Sequence, residues 1–269
     1  MRTHTFVVLT TTLSMLAACS GDDGPGDGYT SAADQDSIDT VGDDADTTTD
    51  GTADDTTGST DATDTSTDTT DSGGIPIEPD NMIDNFEDGD GALIPNGGRK
   101  GYWYTFNDAS EGSTQTPPTD AVLPEAGGAN GTSMALHTTG TGFAEWGAGI
   151  GIDLNNAGGD MNIKMIYDAS AYTGIVVTAR GNAQIRASVQ IEAAIPPEEG
   201  GTCALDCDPH GKVLLLTDQW QQFTLPFDQL NQEGWGTPAS WDASKIVGIQ
   251  FKAAKNVDFD FWVDEIGFY

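Results

Sequence analysis

Short apolar runs with a period of two recur along residues 75–269, and this pattern constrains the fold more than any other feature of the sequence. Within each run the apolar residues share one parity. The runs are Ile163 to Tyr167, Ile175 to Ala179, Ile185 to Ile191, Phe223 to Phe227, Val247 to Phe251 and Phe259 to Val263. Gly, Asn, Asp and Pro separate them, and helical periodicity is nearly absent apart from one turn expected over Pro226 to Leu230. The pattern predicts an all-β fold, an antiparallel β-sandwich, rather than a parallel sheet with crossover helices.

The first and last predicted strands each place carboxylates beside an apolar run. Their sequences are MIDNFEDGDG at 82–91 and VDFDFWVDEIGFY at 257–269. If these strands pair, their carboxylates converge, and carboxylate oxygens suit a hard cation. After Asp264 the parity changes, because Ile266 falls on the face that the preceding acids occupied. A β-bulge is therefore predicted at this point.

The first nineteen residues have the features of a bacterial lipoprotein signal. A charged start at Arg2 precedes a short apolar stretch and the sequence Leu-Ala-Ala-Cys at 16–19, which resembles a lipobox. An ordinary signal peptide with a chance cysteine is the alternative. The lipobox predicts lipidation of Cys19 and anchoring in the bacterial cell envelope, and Ser20 at the next position favours the outer membrane or the cell surface.

Residues 20–74 contain sixteen Asp and no Lys, Arg or Glu. A segment with so little to bury and so much self-repulsion cannot offset the entropy lost on folding, so a disordered acidic linker is predicted. Residues 75–269 carry 27 acidic and 9 basic side chains, a net charge of −18, over a length that suits one domain. That charge argues against nucleic-acid binding, which requires Lys and Arg to displace counterions.

Two cysteines remain once Cys19 is assigned to the lipid. Cys203 and Cys207 are expected to form a disulfide, since an exported chain meets an oxidising compartment. A zinc site using both thiolates and His210 is the alternative, but the sequence offers no evident fourth ligand.

Five segments, in this order along the chain, resemble the galactose-binding-like jelly rolls, and family 11 carbohydrate-binding modules in particular. They are the two terminal segments already described, YTGIVVTARG at 172–181, DQWQQFTLPF at 218–227 and KIVGIQFK at 245–252. The resemblance implies a jelly-roll sandwich that binds a polysaccharide, such as a β-glucan, without catalysis. It also implies a structural Ca²⁺ held by Glu87, Asp264 and, more loosely, Asp88, and a module expected to be monomeric.

Alternation also predicts the residues that face outward and are suited to a sugar. Flat aromatic side chains suit the CH-rich face of a pyranose, and planar polar side chains suit its hydroxyls. The resulting candidates are Trp220, Gln222, Arg180, Arg186 and Gln190, expected to form one exposed row across neighbouring strands, with Trp103 and Trp235 in loop-side positions. The alternative is that these polar residues form an ordinary sandwich exterior.

Two further functions stay open on the sequence. One is a structural or adhesive surface lipoprotein without a sugar site, and the other is a glycoside hydrolase, since so acidic a domain could present two carboxylates across a cleft. The segment GTSMA at 131–135 matches the serine segment of subtilisin-like proteases, but the only earlier histidine is His4. A protease is therefore not expected.

Overall fold

A computed structural model describes residues 74–118, 122–156 and 163–269. The predicted signal sequence, Cys19 and almost all of the predicted linker lie outside these residues. The described residues form strands and short 3₁₀ turns without an α-helix, and none of their helical segments is long and apolar enough to cross a membrane. The all-β antiparallel sandwich is therefore confirmed, in a jelly-roll arrangement.

Two antiparallel sheets form the sandwich. The seven-stranded sheet has the order β10-β7-β12-β5-β3, with β1 added to β12 and β4 added to β5. Its strands are β1 (Met82–Asp84), β3 (Thr114–Thr116), β4 (Glu125–Ala126), β5 (Met134–Thr141), β7 (Gly174–Gly181), β10 (Gln221–Pro226) and β12 (Phe259–Phe268). The five-stranded sheet has the order β2-β6-β11-β8-β9. Its strands are β2 (Trp103–Asn107), β6 (Ala148–Asp153), β8 (Gln184–Ile191), β9 (His210–Leu215) and β11 (Ile246–Ala253).

The apolar parity of the sequence becomes the layer between the sheets. Ile185, Val189 and Phe251 of the five-stranded sheet are buried in the same core as Phe261 and Val263 of the seven-stranded sheet. Removing this apolar surface from water is the main stabilising contribution, at roughly 25 cal/mol per Å². The turn expected near Pro226 is a 3₁₀ turn at Phe227–Gln229. Four further 3₁₀ turns are Pro79–Asn81, Glu192–Ala194, Pro197–Glu199 and Ala243–Lys245.

The predicted bulge after Asp264 is present in β12. The pairing of β12 with β7 shifts register between Asp264 and Gly267, and Glu265 has a φ of 41°, in the left-handed region. Asp264 keeps the alternation of the strand, opposite in parity to Val263, whereas after the extra residue Ile266 enters the core at the parity of the acids. β1 pairs with β12 just beyond this point.

Two expectations from alternation were wrong. The run at 163–167 forms only an isolated bridge at Tyr167, and Ile163 and Met165 are exposed. The strands β7 and β8 are consecutive in sequence, and the candidate sugar contacts on them were expected to form one row. The chain instead crosses from one sheet to the other between Gly181 and Gln184. The outward residues of β7 and β8 therefore lie on opposite outer surfaces.

Candidate functional site

The outer face of the five-stranded sheet is the floor of a cleft of about 870 Å³. Polar side chains of two neighbouring central strands point into it: Gln184, Arg186 and Gln190 from β8, and Gln250 and Lys252 from β11. In the register of this pair, Lys252 lies opposite Arg186, and Gln250 lies opposite Ser188. Five strands spaced about 4.8 Å apart give a floor roughly 19 Å wide, which is longer than a single sugar ring.

An aromatic pair stands at the β2 edge of the cleft. The rings of Phe106 and Trp146 stack with centroids 6.1 Å apart and an angle of 19° between their planes, and Trp146 is 45% exposed. The Trp146 loop is fixed by Asp108. One carboxylate oxygen of Asp108 accepts backbone N–H bonds from Glu145 (3.0 Å), Trp146 (2.8 Å) and Gly147 (2.8 Å). Desolvation works to raise the pKa of Asp108, but these hydrogen bonds and those from Ser110 outweigh it and lower that pKa.

A third aromatic residue, Trp235, lines the cleft on the β9 side. Its indole is 57% exposed, and its Nε1 donates to Glu233 Oε2 over 2.9 Å. The Trp235 loop bridges to β9 through Gly211 and Asn231. Aromatic rings therefore flank the floor from both edges of the sheet.

The Trp235 loop is held by the segment that the disulfide closes. Cys203 and Cys207 are bonded, as predicted, with Cα atoms 5.8 Å apart, so their thiolates are not free for the zinc alternative. Buried Asp208 follows this loop and accepts N–H bonds from Glu233 and Gly234 at 3.2 and 2.7 Å. The backbone carbonyl of Asp206 accepts a further bond from Thr237.

A glycine shapes the centre of the floor. Tyr104, Gly151 and Gln250 lie side by side on β2, β6 and β11. A Cβ at Gly151 would lie 2.8 Å from the Tyr104 ring, so only glycine lets the ring cover β6 and accept a 3.3 Å bond from Gln250 Nε2 at its hydroxyl. Burial, the largest influence, raises the pKa of Tyr104 to about 12, which keeps the phenol protonated.

A charged group supports one side of the floor. Lys164 Nζ lies 2.7 Å from Glu199 Oε2 and 3.9 Å from Asp153 Oδ1, and it donates to Gln190 Oε1 over 2.9 Å. Burial works to lower the pKa of Lys164, but its anionic neighbours and Tyr104 outweigh this and raise it. These contacts orient the amide of Gln190, whose oxygen is consequently already used.

The outer face of the seven-stranded sheet differs, because other parts of the chain cover much of it. Thr178 of β7 is 1% exposed, and Gln222 of β10 exchanges two hydrogen bonds with the backbone of Ile75, at 2.6 and 2.9 Å. The Arg180 guanidinium lies between the rings of Trp220 and Trp262, 4.8 and 4.7 Å from their centroids. Side-chain contacts among the protein's own groups thus already occupy much of this face.

The predicted sugar contacts divide between these two surfaces. Arg186, Gln190 and Trp235 line the cleft. Trp220, Gln222 and Arg180 lie on the seven-stranded sheet. Trp103 is in the core, 1% exposed, with its indole Nε1 donating to Asp84 over 2.8 Å, which removes it from either surface.

The predicted metal ligands hold a loop. Glu87 Oε1 accepts N–H bonds from Ser133 and Met134 at 2.7 and 2.8 Å, and these lower the pKa of Glu87. Asp264 accepts from Ala129 N, Thr132 Oγ1 and Glu265 N, and burial raises its pKa.

Glu87 and Asp264 therefore act on the same loop, residues 127–134. Asp88 caps its own turn by accepting from Asp90 N. Within the described ranges, no three His, Cys, Asp or Glu side chains are grouped to hold a metal ion. Since Asp264 already accepts three hydrogen bonds, a cation here would rely on Glu87, Asp88 and backbone carbonyls.

Several cleft residues were missed by the sequence analysis: Phe106, Trp146, Gln250 and Lys252. Gln250 and Lys252 could have been found, because they have the opposite parity to buried Ile249 and Phe251. Phe106 could also have been found, because it has the opposite parity to buried Trp103 on β2. Trp146 lies in a glycine-flanked loop, where no periodicity indicates its direction.

Comparisons with known proteins give one curated relative and several solved structures, while no family model matches the chain. Endoglucanase 3 of Fibrobacter succinogenes is 28% identical over 183 residues, which cover 65% of this chain. The chain spans about a quarter of that relative's length, 24%.

Several of the similar structures are carbohydrate-binding modules. A family 11 module of a Clostridium thermocellum cellulosomal cellulase has a TM-score of 0.47 and 18% identity, and covers 72% of this chain and 95% of its own. A family 11 module from the same organism, in complex with a β-1,3-1,4-mixed-linked tetrasaccharide, has a TM-score of 0.46 and 17% identity, with 70% and 94% covered. A family 30 module of another of its cellulases has a TM-score of 0.46 and 12% identity, with 70% and 95% covered.

Proposed function

We propose that this domain binds a polysaccharide, without catalysis, along the cleft over the five-stranded sheet. The observation that carries the proposal is the arrangement of that cleft: exposed Trp146 and Trp235 flank a floor of amide and guanidinium groups. Aromatic faces stack on the apolar faces of sugar rings, while planar polar groups pair with hydroxyls. An elongated ligand could contact both aromatic edges at once.

The location of the domain completes this proposal. Lipidation at Cys19 would anchor the chain in the bacterial envelope, and the acidic stretch 20–74 would hold the domain away from the lipid. A monomeric module displayed in this way could capture a glycan beyond the membrane. A structural Ca²⁺ near Glu87 and Asp88 belongs to the same proposal and would stabilise the loop at 127–134 rather than contact the sugar.

A glycoside hydrolase is the second candidate, because the curated relative is an endoglucanase. Two cleft carboxylates already have cationic partners: Glu199 lies 2.7 Å from Lys164, and Glu233 lies 3.6 Å from Arg186. The third cleft acid, Glu145, has no ion pair within the described residues, so the cleft offers one unpaired carboxylate where hydrolysis requires two. The arrangement favours binding over hydrolysis.

Calorimetry of the purified chain against a panel of soluble polysaccharides, including β-glucans, tests the proposal. We expect binding that falls about tenfold or more in Trp146→Ala and in Trp235→Ala, because stacking against an aromatic ring contributes roughly 1 to 3 kcal/mol. Trp220→Ala is the matched control on the other sheet and should bind like the unsubstituted chain. Absence of binding across the panel would support the adhesive alternative, and release of reducing ends would support the hydrolase.

A further inference from the structure

Two cations face each other on the floor of the cleft. Lys252 of β11 is directly opposite Arg186 of β8, and both side chains line the cleft. Like charges at directly opposed positions of an antiparallel pair destabilise the sheet. Placing these two cations opposite each other therefore lowers the stability of the folded sheet.

The two cations differ in their surroundings. Arg186 Nε lies 3.6 Å from Glu233 Oε1, and its Nη2 donates to the backbone carbonyl of Asn231. Lys252 forms no ion pair with any carboxylate of the described part of the chain, and neither does Lys255, which also lines the cleft. The cleft thus has two ammonium groups available to a ligand.

The composition of the domain makes this placement informative. Residues 75–269 carry 27 acids and only 9 basic side chains, yet three of those nine line this one cleft. Of the three cleft acids, Glu199 and Glu233 are paired with Lys164 and Arg186, while Glu145 forms no ion pair in the described part of the chain. The two unpaired ammonium groups therefore outnumber the one unpaired carboxylate, and a concave surface with an excess of unpaired charge concentrates ligands of the opposite sign.

We infer that the cleft selects an acidic polysaccharide, one whose sugar rings carry carboxylate or sulfate groups. One anionic group would accept hydrogen bonds from Lys252 Nζ, and Lys255 and Arg186 would add attraction. Gln184 and Gln250 remain to pair with hydroxyls, while Trp146 and Trp235 stack on rings. This inference rests on the proposed polysaccharide binding and specifies its ligand class.

The test is isothermal calorimetry on the full chain with three polymers: a neutral mixed-linkage β-glucan, a polyuronate and a sulfated galactan. We expect at least one acidic polymer to bind about tenfold more tightly than the neutral one, because hydrogen bonds to charged groups are the stronger kind. That preference should shrink when the salt rises from about 50 to about 500 mM. The polyuronate and the sulfated galactan distinguish carboxylate from sulfate as the recognised group.

Two variants with the same change in net charge sharpen the test. Lys252→Gln should lower the affinity for the acidic polymer about tenfold while leaving Tm unchanged or slightly raised, because it removes the repulsion from Arg186. Lys100→Gln, an exposed lysine outside the cleft lining, should change neither quantity.

The outcomes separate this inference from the function on which it rests. Equal or tighter binding of the neutral glucan, with Lys252→Gln unaffected, overturns the acidic ligand and leaves polysaccharide binding in place. Equal losses in Lys252→Gln and Lys100→Gln overturn it also, because the attraction would then come from overall charge. Failure to bind any of the three polymers, or any other glycan, overturns both.

Discussion

The two outer faces of the sandwich differ in what covers them. Much of the seven-stranded sheet is covered by residues 74–81 and the loop at 127–134, whose backbone groups bond to Gln222, Glu87 and Asp264. The five-stranded sheet is open, and its surrounding loops carry Trp146 and Trp235 with their rings partly exposed. Polar side chains on the covered face bond to the protein's own backbone, whereas on the open face Gln184 and Lys252 remain available beside the bound Arg186 and Gln190. The polar side chains of the two faces are of similar types, and they differ in how exposed they are and in whether they already have hydrogen-bond partners.

The largest effect is expected on the covered face. Asp264→Ala removes the acceptor of three hydrogen bonds beneath the loop at 127–134, and should lower the free energy of unfolding by about 3 kcal/mol. Urea denaturation measures this change, with neighbouring Glu265→Gln as the control. Glycan affinity of the folded fraction should be unchanged. A loss of affinity without a loss of stability would place the ligand on the covered face.

A pH dependence of similar size should come from Asp84. Burial is the largest influence on this carboxyl and raises its pKa from 3.8 to about 7, against hydrogen bonds from Phe86 N and Trp103 Nε1. The unfolded chain loses this proton near pH 4 and the folded chain only near pH 7, so the folded state binds more protons between these values. The free energy of unfolding should fall by roughly 2 to 4 kcal/mol as the pH rises from about 4 to about 7.

Asp84→Asn should flatten that part of the stability profile, since an amide keeps similar shape without the titration. Denaturation midpoints across this pH range provide the measurement. An unchanged slope in the variant would assign the pH dependence to other groups.

A smaller effect is expected on the open face, from Asp108→Asn. The amide replaces an ionised acceptor of three N–H groups, so the loop that carries Trp146 should loosen. We expect affinity for a bound polysaccharide to fall about threefold to tenfold. Titration of the ligand at neutral pH checks this, and Asp168→Asn is a control with an equivalent local turn outside the cleft. Equal affinity in both variants would contradict a positioning role for Asp108.

Among the effects on stability, the smallest should come from calcium. If Ca²⁺ binds near Glu87 with a Kd about tenfold below its concentration, the free energy of unfolding rises by roughly 1.4 kcal/mol. A domain of this size should then gain about 3 to 6 °C in Tm on addition of calcium and lose it in EDTA. Glu87→Gln should abolish the response. A Tm indifferent to calcium in the unsubstituted chain would reject the ion.

Sequence reasoning predicted the sandwich because burial imposes a period of two on each strand, as in β8 and β12. It also located the bulge, because the apolar residue Ile266, which is buried, has the same parity as Asp260 and Asp264 before it. Parity says which residues share a face of one strand but not which sheet that strand joins. This is why Arg180 and Arg186, only six residues apart, were expected on one surface and lie on two.

The aromatic residues at the edges of the cleft show a second limit of prediction from sequence, which is that long-range contacts leave no periodic pattern. The direction of Trp146 depends on Asp108, 38 residues away, through backbone hydrogen bonds that leave no periodic signal. Trp235 was found because of its residue type, but its position depends on Asp208 and the disulfide-closed loop. The floor residues on β11 could be predicted from alternation in the sequence, whereas the loop residues could be placed only once the fold was known.

Amide hydrogen exchange of the full chain, with and without a saturating polysaccharide, tests the choice between the two faces most directly. We expect added ligand to slow exchange in the loop at 144–147, in β8 and β11, and around Trp235. Protection that appears instead at residues 127–134 and 218–222, with the cleft segments unchanged, would contradict it.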